Sequence, residues 1–282
     1  MPKIVSFINL KGGVGKTTVA VNIASILAKT HKKRVLVVDL DPQTNATVSL
    51  IDQLTWQSRH AAGQTLYHLF YDRLHGNSTF DINQAIMKDV GDVDGLDLLP
   101  SSLELVEIQD DIPDMDTKAY VSHVDVLGNV IAVVENNYDF IIIDCPPNLG
   151  AITLNGISIS NYYVVPTVPD ILSKIGISLI LNRIEKFKKL KHTCKIELAG
   201  VVFTRVDYRT NLHHSTMQEL RGRPDLSGHV FNEELPQRIS IAESPVDSKP
   251  FITSPTARSK PDWADTLKLL EAVTAQFLNH VP

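Results

Sequence analysis

The chain has 282 residues, 43% of them hydrophobic and 21% charged, with a formal net charge of −5. Such a length and apolar content excludes a disordered or fibrous protein and favours one large α/β domain over residues 1–282. Cys145 and Cys194 give neither a disulfide framework nor metal-ligand spacing, no run of about 18 apolar residues offers a membrane span, and no signal-peptide pattern precedes the first strand, so the expectation is a soluble cytoplasmic protein.

The apolar run Ile4-Val5-Ser6-Phe7-Ile8 predicts a strand, and Val19 to Lys29, with Val19, Ile23, Ile26 and Leu27 on one face, predicts a helix. Between them lies Lys11-Gly12-Gly13-Val14-Gly15-Lys16-Thr17-Thr18. Three glycines let the backbone aim several N–H groups at one point, and the helix start adds a positive end, so the loop is built for phosphate. Lys16 reaches the β- and γ-phosphates in such a loop, and the Thr17 hydroxyl holds Mg²⁺. Two features depart from the pattern G-x-x-x-x-G-K-[ST]: Leu10 stands at the first glycine position, and Lys11 stands at the front.

In these features the chain resembles the ParA/MinD group of P-loop ATPases with a deviant Walker A motif, in which the early lysine reaches across a dimer to the other subunit's nucleotide. The resemblance implies ATP and Mg²⁺ as cofactors, nucleotide binding by Lys11, Gly12, Gly13, Val14, Gly15, Lys16, Thr17 and Thr18, catalytic roles for Lys11 and Lys16, and an ATP-dependent homodimer.

Further along, His31-Lys32-Lys33-Arg34 makes a basic turn, and Val35-Leu36-Val37-Val38 predicts a buried parallel strand. That strand delivers Asp39 and Asp41 to its carboxyl end, where open α/β sheets bind ligands. Asp41 resembles the catalytic family residue that orients the attacking water, and Asp39 is expected to support the Mg²⁺ shell. Thr47 to Leu54 and Leu66 to Leu74 read as short helices, and the segments at Arg59-His60 and Gly76-Asn77-Ser78 read as loops. Leu96 to Ser102 reads as a strand followed by a turn and helix cap, similar to the family's I-P-S-S phrase. Glu104 to Asp116 is an acidic solvated stretch, and Tyr120 to Val134 has a long helical pattern.

Phe140-Ile141-Ile142-Ile143-Asp144 is an apolar strand ending in a carboxylate, the Walker B pattern, which assigns Asp144 to Mg²⁺ through water. The following Pro-Pro-Asn-Leu-Gly resembles the family's switch II, with Gly150 responding to the γ-phosphate. Tyr162 to Thr167 and Ala199 to Thr204 read as strands, and Ile171 to Lys189 as a helix with Lys186, Lys188, Lys189 and Lys191 at its end. The resemblance assigns Thr204 and Pro236 to adenine, and Ile241-Ala242-Glu243-Ser244-Pro245 is similar to the family's A-E-[AS]-P phrase. The helix expected over Trp263 to Leu278 carries Trp263, Leu267, Leu270, Val273 and Phe277 on one face and only Lys268 as a basic residue, so it should dock on the domain and not on a membrane.

Net negative charge alone argues against nucleic acid, but residues 81–144 carry 15 acidic and 2 basic side chains while residues 183–260 carry 9 acidic and 14 basic. The expected fold is a doubly wound, mainly parallel sheet flanked by helices. The expected activity is that of a Mg-dependent ATPase of the ParA partitioning type, cytoplasmic and nucleoid-associated, in which the ATP dimer binds non-specific double-stranded DNA and a ParB-like cargo adaptor stimulates hydrolysis. Arg205, Arg209, Arg221, Arg223 and Lys249 are the candidate DNA contacts. Without an amino-terminal extension for a helix-turn-helix, the chain is similar to the small Soj-like branch. The resemblance implies a cargo that is a plasmid, a chromosome or a protein organelle such as a microcompartment. The alternative is a MinD-like membrane-associated positioning ATPase; an iron–sulfur relative would need a cysteine pair that Cys145 and Cys194 do not provide.

Overall fold

The computed structural model describes residues 1–114 and 122–282. Among the described residues seven strands form one parallel sheet: β1 (Lys3–Phe7), β2 (Val35–Asp39), β3 (Leu96–Leu99), β4 (Phe140–Asp144), β5 (Tyr162–Thr167), β6 (Glu197–Val206) and β7 (Leu235–Pro236). Their order is β3-β2-β4-β1-β5-β6-β7. The chain winds outward from β1 in both directions, which brings the carboxyl ends of β4, β1 and β5 together where the winding reverses. An isolated antiparallel bridge between Met87 and Leu98 covers the β3 edge.

Helices of two turns or more are α1 (Lys16–Lys29), α2 (Gln53–Ala61), α3 (Leu66–Leu74), α4 (Val126–Val134), α5 (Ala151–Ile159), α6 (Ile171–Leu190), α7 (Asn211–Arg221) and α8 (Trp263–His280). Strand side chains alternate between faces. Ile4, Ile8, Leu36, Val38, Ile141 and Ile143 join α3, α4, α5 and α6 in one core, whereas Val5, Phe7, Val35, Val37 and Ile142 join α1 and α8 in the other. Because both faces are covered, the strands are continuous apolar runs.

Several element ends shift by a residue or two from the sequence expectation, and four differences are larger. Helix α1 begins at Lys16 instead of Val19: Gly15, at φ +82°, starts it, and its first turn is polar because it faces the phosphate loop, which hides it from apolar periodicity. The helix expected over Thr47 to Leu54 is instead one turn, Asn45–Val48, followed by a break. The Asp52 side chain then accepts from Thr55 N at 3.0 Å and starts α2, so Arg59 and His60 are helical and not in a loop. Helix α4 starts at Val126, after a turn; Asp116, in the acidic stretch, and Tyr120, the expected start of that helix, lie outside the described residues.

The terminal helix α8 docks as expected. It buries Leu270, Val273 and Phe277, and the Phe277 ring lies 6.3 Å from that of Phe7 and 6.1 Å from that of Phe140. Among the described residues no helix is long and apolar enough to cross a membrane.

Candidate functional site

Above the carboxyl ends of the strands opens a cavity of about 510 Å³. Gly12, Gly13, Gly15, Lys16, Thr17 and Thr18 line it, together with Asp41, Gln43 and Asn45. Leu235, Pro236, Ile239, Ile241, Ala242 and Pro245 supply an apolar wall. The glycine loop and an apolar wall therefore face one hollow.

The loop after β1 is held at both ends. Asn9 Nδ2 donates to Pro166 O at 2.7 Å, and its Oδ1 accepts from Lys11 N at 2.9 Å, which pins the entry to the end of β5. Gly13 (φ +71°) and Gly15 (φ +82°) take the left-handed turns that the loop requires. The Val14 side chain is buried. Thr204 Oγ1 donates to Val14 O at 2.6 Å, and Arg205 Nη1 donates to Gly13 O at 2.7 Å. The Lys16 side chain is buried, and its ammonium lies 3.5 Å from Lys11 O, folded back over the loop.

Two aspartates stand side by side beneath the loop, because Asp39 and Asp144 are register partners at the ends of β2 and β4. Both are fully buried. Burial pushes the Asp39 carboxyl up to about 7; burial first, and then the Asp39 charge, pushes Asp144 well above the usual carboxylate range. Thr17 Oγ1 donates to Asp144 Oδ2 at 2.6 Å, while Asp144 Oδ1 is buried without a partner. A hard cation fits this donor set: a hydroxyl beside a carboxylate whose free oxygen is already out of water, next to a phosphate loop.

Asp39 differs in having both oxygens committed. Oδ1 accepts from Asp41 N at 3.2 Å, and Oδ2 accepts from Thr47 N at 2.8 Å and Thr47 Oγ1 at 2.7 Å. Since Thr47 Oγ1 also accepts from Ser101 N at 3.0 Å, Asp39 ties the turn after β2 to the end of β3. Asp41 lines the cavity, and its Oδ1 accepts from Gln43 N at 3.0 Å. Pro147 also lines the cavity, whereas Gly150, in extended conformation, starts α5 and donates to Asn148 Oδ1 at 2.9 Å.

Lys11 turns away from this hollow. Its ammonium forms an ion pair with Asp170 of the same chain, and Asp170 Oδ1 accepts from Ser173 N at 3.0 Å to cap α6. Ile171, Leu172, Ile175 and Leu179 are exposed along that helix.

The candidate DNA contacts scatter over several environments. Arg205 lies on the phosphate loop. Arg209, 89% exposed, makes a two-pronged pair with Asp207 at 2.9 and 2.8 Å. Arg221 pairs with Glu234 at 2.8 Å over the Phe203 ring, Arg223 with Asp225 at 2.6 Å, and Lys249 with Asp92. Arg183, Lys186, Lys189 and Lys195, on α6 and just after it, are exposed and have no carboxylate partner among the described residues.

Thr204 and Pro236, which the resemblance assigned to adenine, both line the cavity. Sequence reasoning missed Asn9, Gln43, Asn45, Ile239 and Asp170. Only Asp170 had a signal: an Asp followed three residues on by Ser, ahead of an apolar helix.

A glycine loop between strand and helix, two acids at neighbouring strand ends and a base-sized apolar wall define a phosphate-loop nucleotide-binding protein. The chain matches the family described as AAA domain over residues 2–198. It is 32% identical to the sporulation initiation inhibitor protein Soj of Bacillus subtilis over 274 residues, which is 96% of this chain and 99% of that protein. It is 32% identical to the chromosome-partitioning ATPase Soj of Treponema pallidum over 255 residues, 89% of each. Its fold is similar to that of a plasmid partition protein from Borrelia burgdorferi solved with AMPPNP, at TM-score 0.75 and 21% identity over 99% of each chain. The chain belongs to the ParA/Soj family of partitioning ATPases.

Proposed function

We infer that the protein is a Mg-dependent ATPase of the ParA type that cycles between a free form and an ATP-bound dimer carried on DNA. The observation that supports this most is the cavity itself, in which the phosphate loop, Asp41 and an apolar wall face one space. ATP enters with its base against Leu235, Pro236 and Ile241 and its phosphates on the loop amides between Gly12 and Thr17. Lys16 swings from Lys11 O onto the β- and γ-phosphates. Thr17 and Asp144 would hold Mg²⁺, which would neutralise charge on the phosphate oxygens. Asp41, steadied by Gln43 N, orients the attacking water, and Asp39 holds the turn that carries Asp41.

Lys11 leaves Asp170 and reaches the nucleotide of a second copy, which makes the dimer depend on the triphosphate. Exposed apolar side chains on α6 beside this lysine favour the same association. Lysine and arginine side chains of the carboxyl-terminal third neutralise DNA phosphates without reading sequence. An adaptor of ParB type, joined to the cargo, speeds hydrolysis and returns the protein to its free form. A MinD-like membrane helix is not favoured, because α8 spends its apolar face on Phe7 and Phe140.

The test is binding to random-sequence duplex DNA with ATP, ADP or no nucleotide over a salt series. Binding only with ATP, weakening steeply with salt, supports the reading. No binding under any nucleotide by a protein that still binds ATP would overturn the DNA step.

A further inference from the structure

Arg205 sits in an unusual backbone conformation. Its φ is +50°, a region that residues with a side chain enter at a cost, and the β6–β7 register shifts between Thr204 and Val206. The distortion delivers its guanidinium to the phosphate loop, where Nη1 donates to Gly13 O at 2.7 Å. Thr204, one residue earlier, treats the next peptide likewise, with Oγ1 on Val14 O at 2.6 Å. Two consecutive residues at the end of β6 thus hold two consecutive carbonyls of the loop.

A trans peptide points its C=O and its N–H in opposite directions, and no cis peptide occurs among the described residues. Drawing the Gly13 carbonyl toward Arg205 therefore turns the Val14 N–H away from β6. Drawing the Val14 carbonyl toward Thr204 does the same for the Gly15 N–H. Successive amides fixed in this way form an anion nest, and a cation on the carbonyl side polarises the peptide so that its N–H is a stronger donor. Backbone strain of this kind persists only where the surrounding contacts hold it, here the bond from Arg205 to Gly13 O.

The geometry points to Thr204 and Arg205 as positioning residues that hold the phosphate loop in its anion-binding shape, which places Arg205 in the nucleotide site and not on the DNA surface. This rests on the nucleotide reading given above. Arg205→Met removes the charge at similar length, Arg205→Lys keeps it, and Arg205→Gly removes it while accepting a positive φ without strain. Each protein is titrated calorimetrically with ATP and with ADP, and melted without nucleotide.

The Met and Gly variants weaken both nucleotides about tenfold, and Lys recovers most of the loss. Arg205→Gly nevertheless melts at or above the wild-type temperature, because it relieves the backbone. A merely structural residue would lower melting temperature and affinity together. Wild-type nucleotide affinity in both the Met and Gly variants would overturn the inference. So would an Arg205→Met protein that binds ATP normally yet loses DNA at saturating ATP. A wild-type protein that binds no ATP would instead remove the nucleotide reading itself, and it is seen before any variant is made.

Discussion

The ion pair between Lys11 and Asp170 sets a measurable limit on dimer formation. If Lys11 must leave Asp170 to reach a second subunit, Asp170→Asn lowers the cost of dimerisation by the value of that pair. Lys11 is 49% and Asp170 24% exposed, so solvent screens the pair and its value is about 0.2–1 kcal/mol. A symmetric dimer breaks two such pairs, which gives about 0.4–2 kcal/mol, or about a 2- to 30-fold tighter dimer. Asparagine caps a helix as well as aspartate does, so α6 keeps its start. Sedimentation equilibrium with a non-hydrolysable ATP analogue reads the dimer constant at about 0.1 and 1 M salt, and the gain shrinks at the higher salt. A dimer constant equal to or weaker than wild type at low salt, with α6 intact by circular dichroism, would refute the reasoning.

Other outcomes follow from the same geometry. Asp41→Ala keeps ATP affinity but slows phosphate release by about 100-fold or more, since only the orientation of water is lost; a rate within a few-fold of wild type would remove Asp41 from the chemistry. Asp144→Asn removes one of two adjacent buried carboxylates, so the nucleotide-free protein melts about 2–4 °C higher for each kcal/mol relieved. In that variant EDTA no longer changes the melting shift produced by ATP, whereas in wild type it does; retained EDTA sensitivity would put the cation elsewhere. Gly200→Ala places a Cβ 2.2 Å from Phe231 Cε1 and 3.0 Å from His229 O, which costs about 1–3 kcal/mol and is read as a lower urea midpoint. An unchanged midpoint would mean that this part of the core repacks freely.

The parts of the site that the sequence made legible are those joined by a few covalent links. The phosphate loop is one continuous stretch, and Asp41 and Asp144 follow apolar runs whose carboxyl ends must meet in a parallel sheet. Pairings across long separations left no trace in local pattern. Lys11 and Asp170 are 159 residues apart, and Arg205 is 192 residues from Gly13. Asp39 stands beside Asp144 at the strand ends, and its surroundings are not readable from its position in the chain. Its place two residues before Asp41 suggests a part in the Mg²⁺ shell, but only the fold reveals that Thr47 and Asp41 N occupy both of its oxygens. The start of α2 was missed because a side-chain cap, Asp52 on Thr55, outweighed an apolar pattern that favoured Thr47 to Leu54.

The immersion of α1 dictates where the molecule can move. Eleven of its fourteen residues are buried, so the helix on which the phosphate loop stands has no soft direction. Across the hollow, Gln43 and Gln237 are exposed on short connections, and Asn45 and Ile239 are exposed at the starts of short helices. The helix under the loop is thus a stationary anvil, and the rearrangement expected of an occupied site falls on the segments facing it. In hydrogen exchange, amides of α1 open only with the whole fold, while those of Gln43 to Asn45 and Gln237 to Ile239 keep a faster clock that slows when nucleotide is bound.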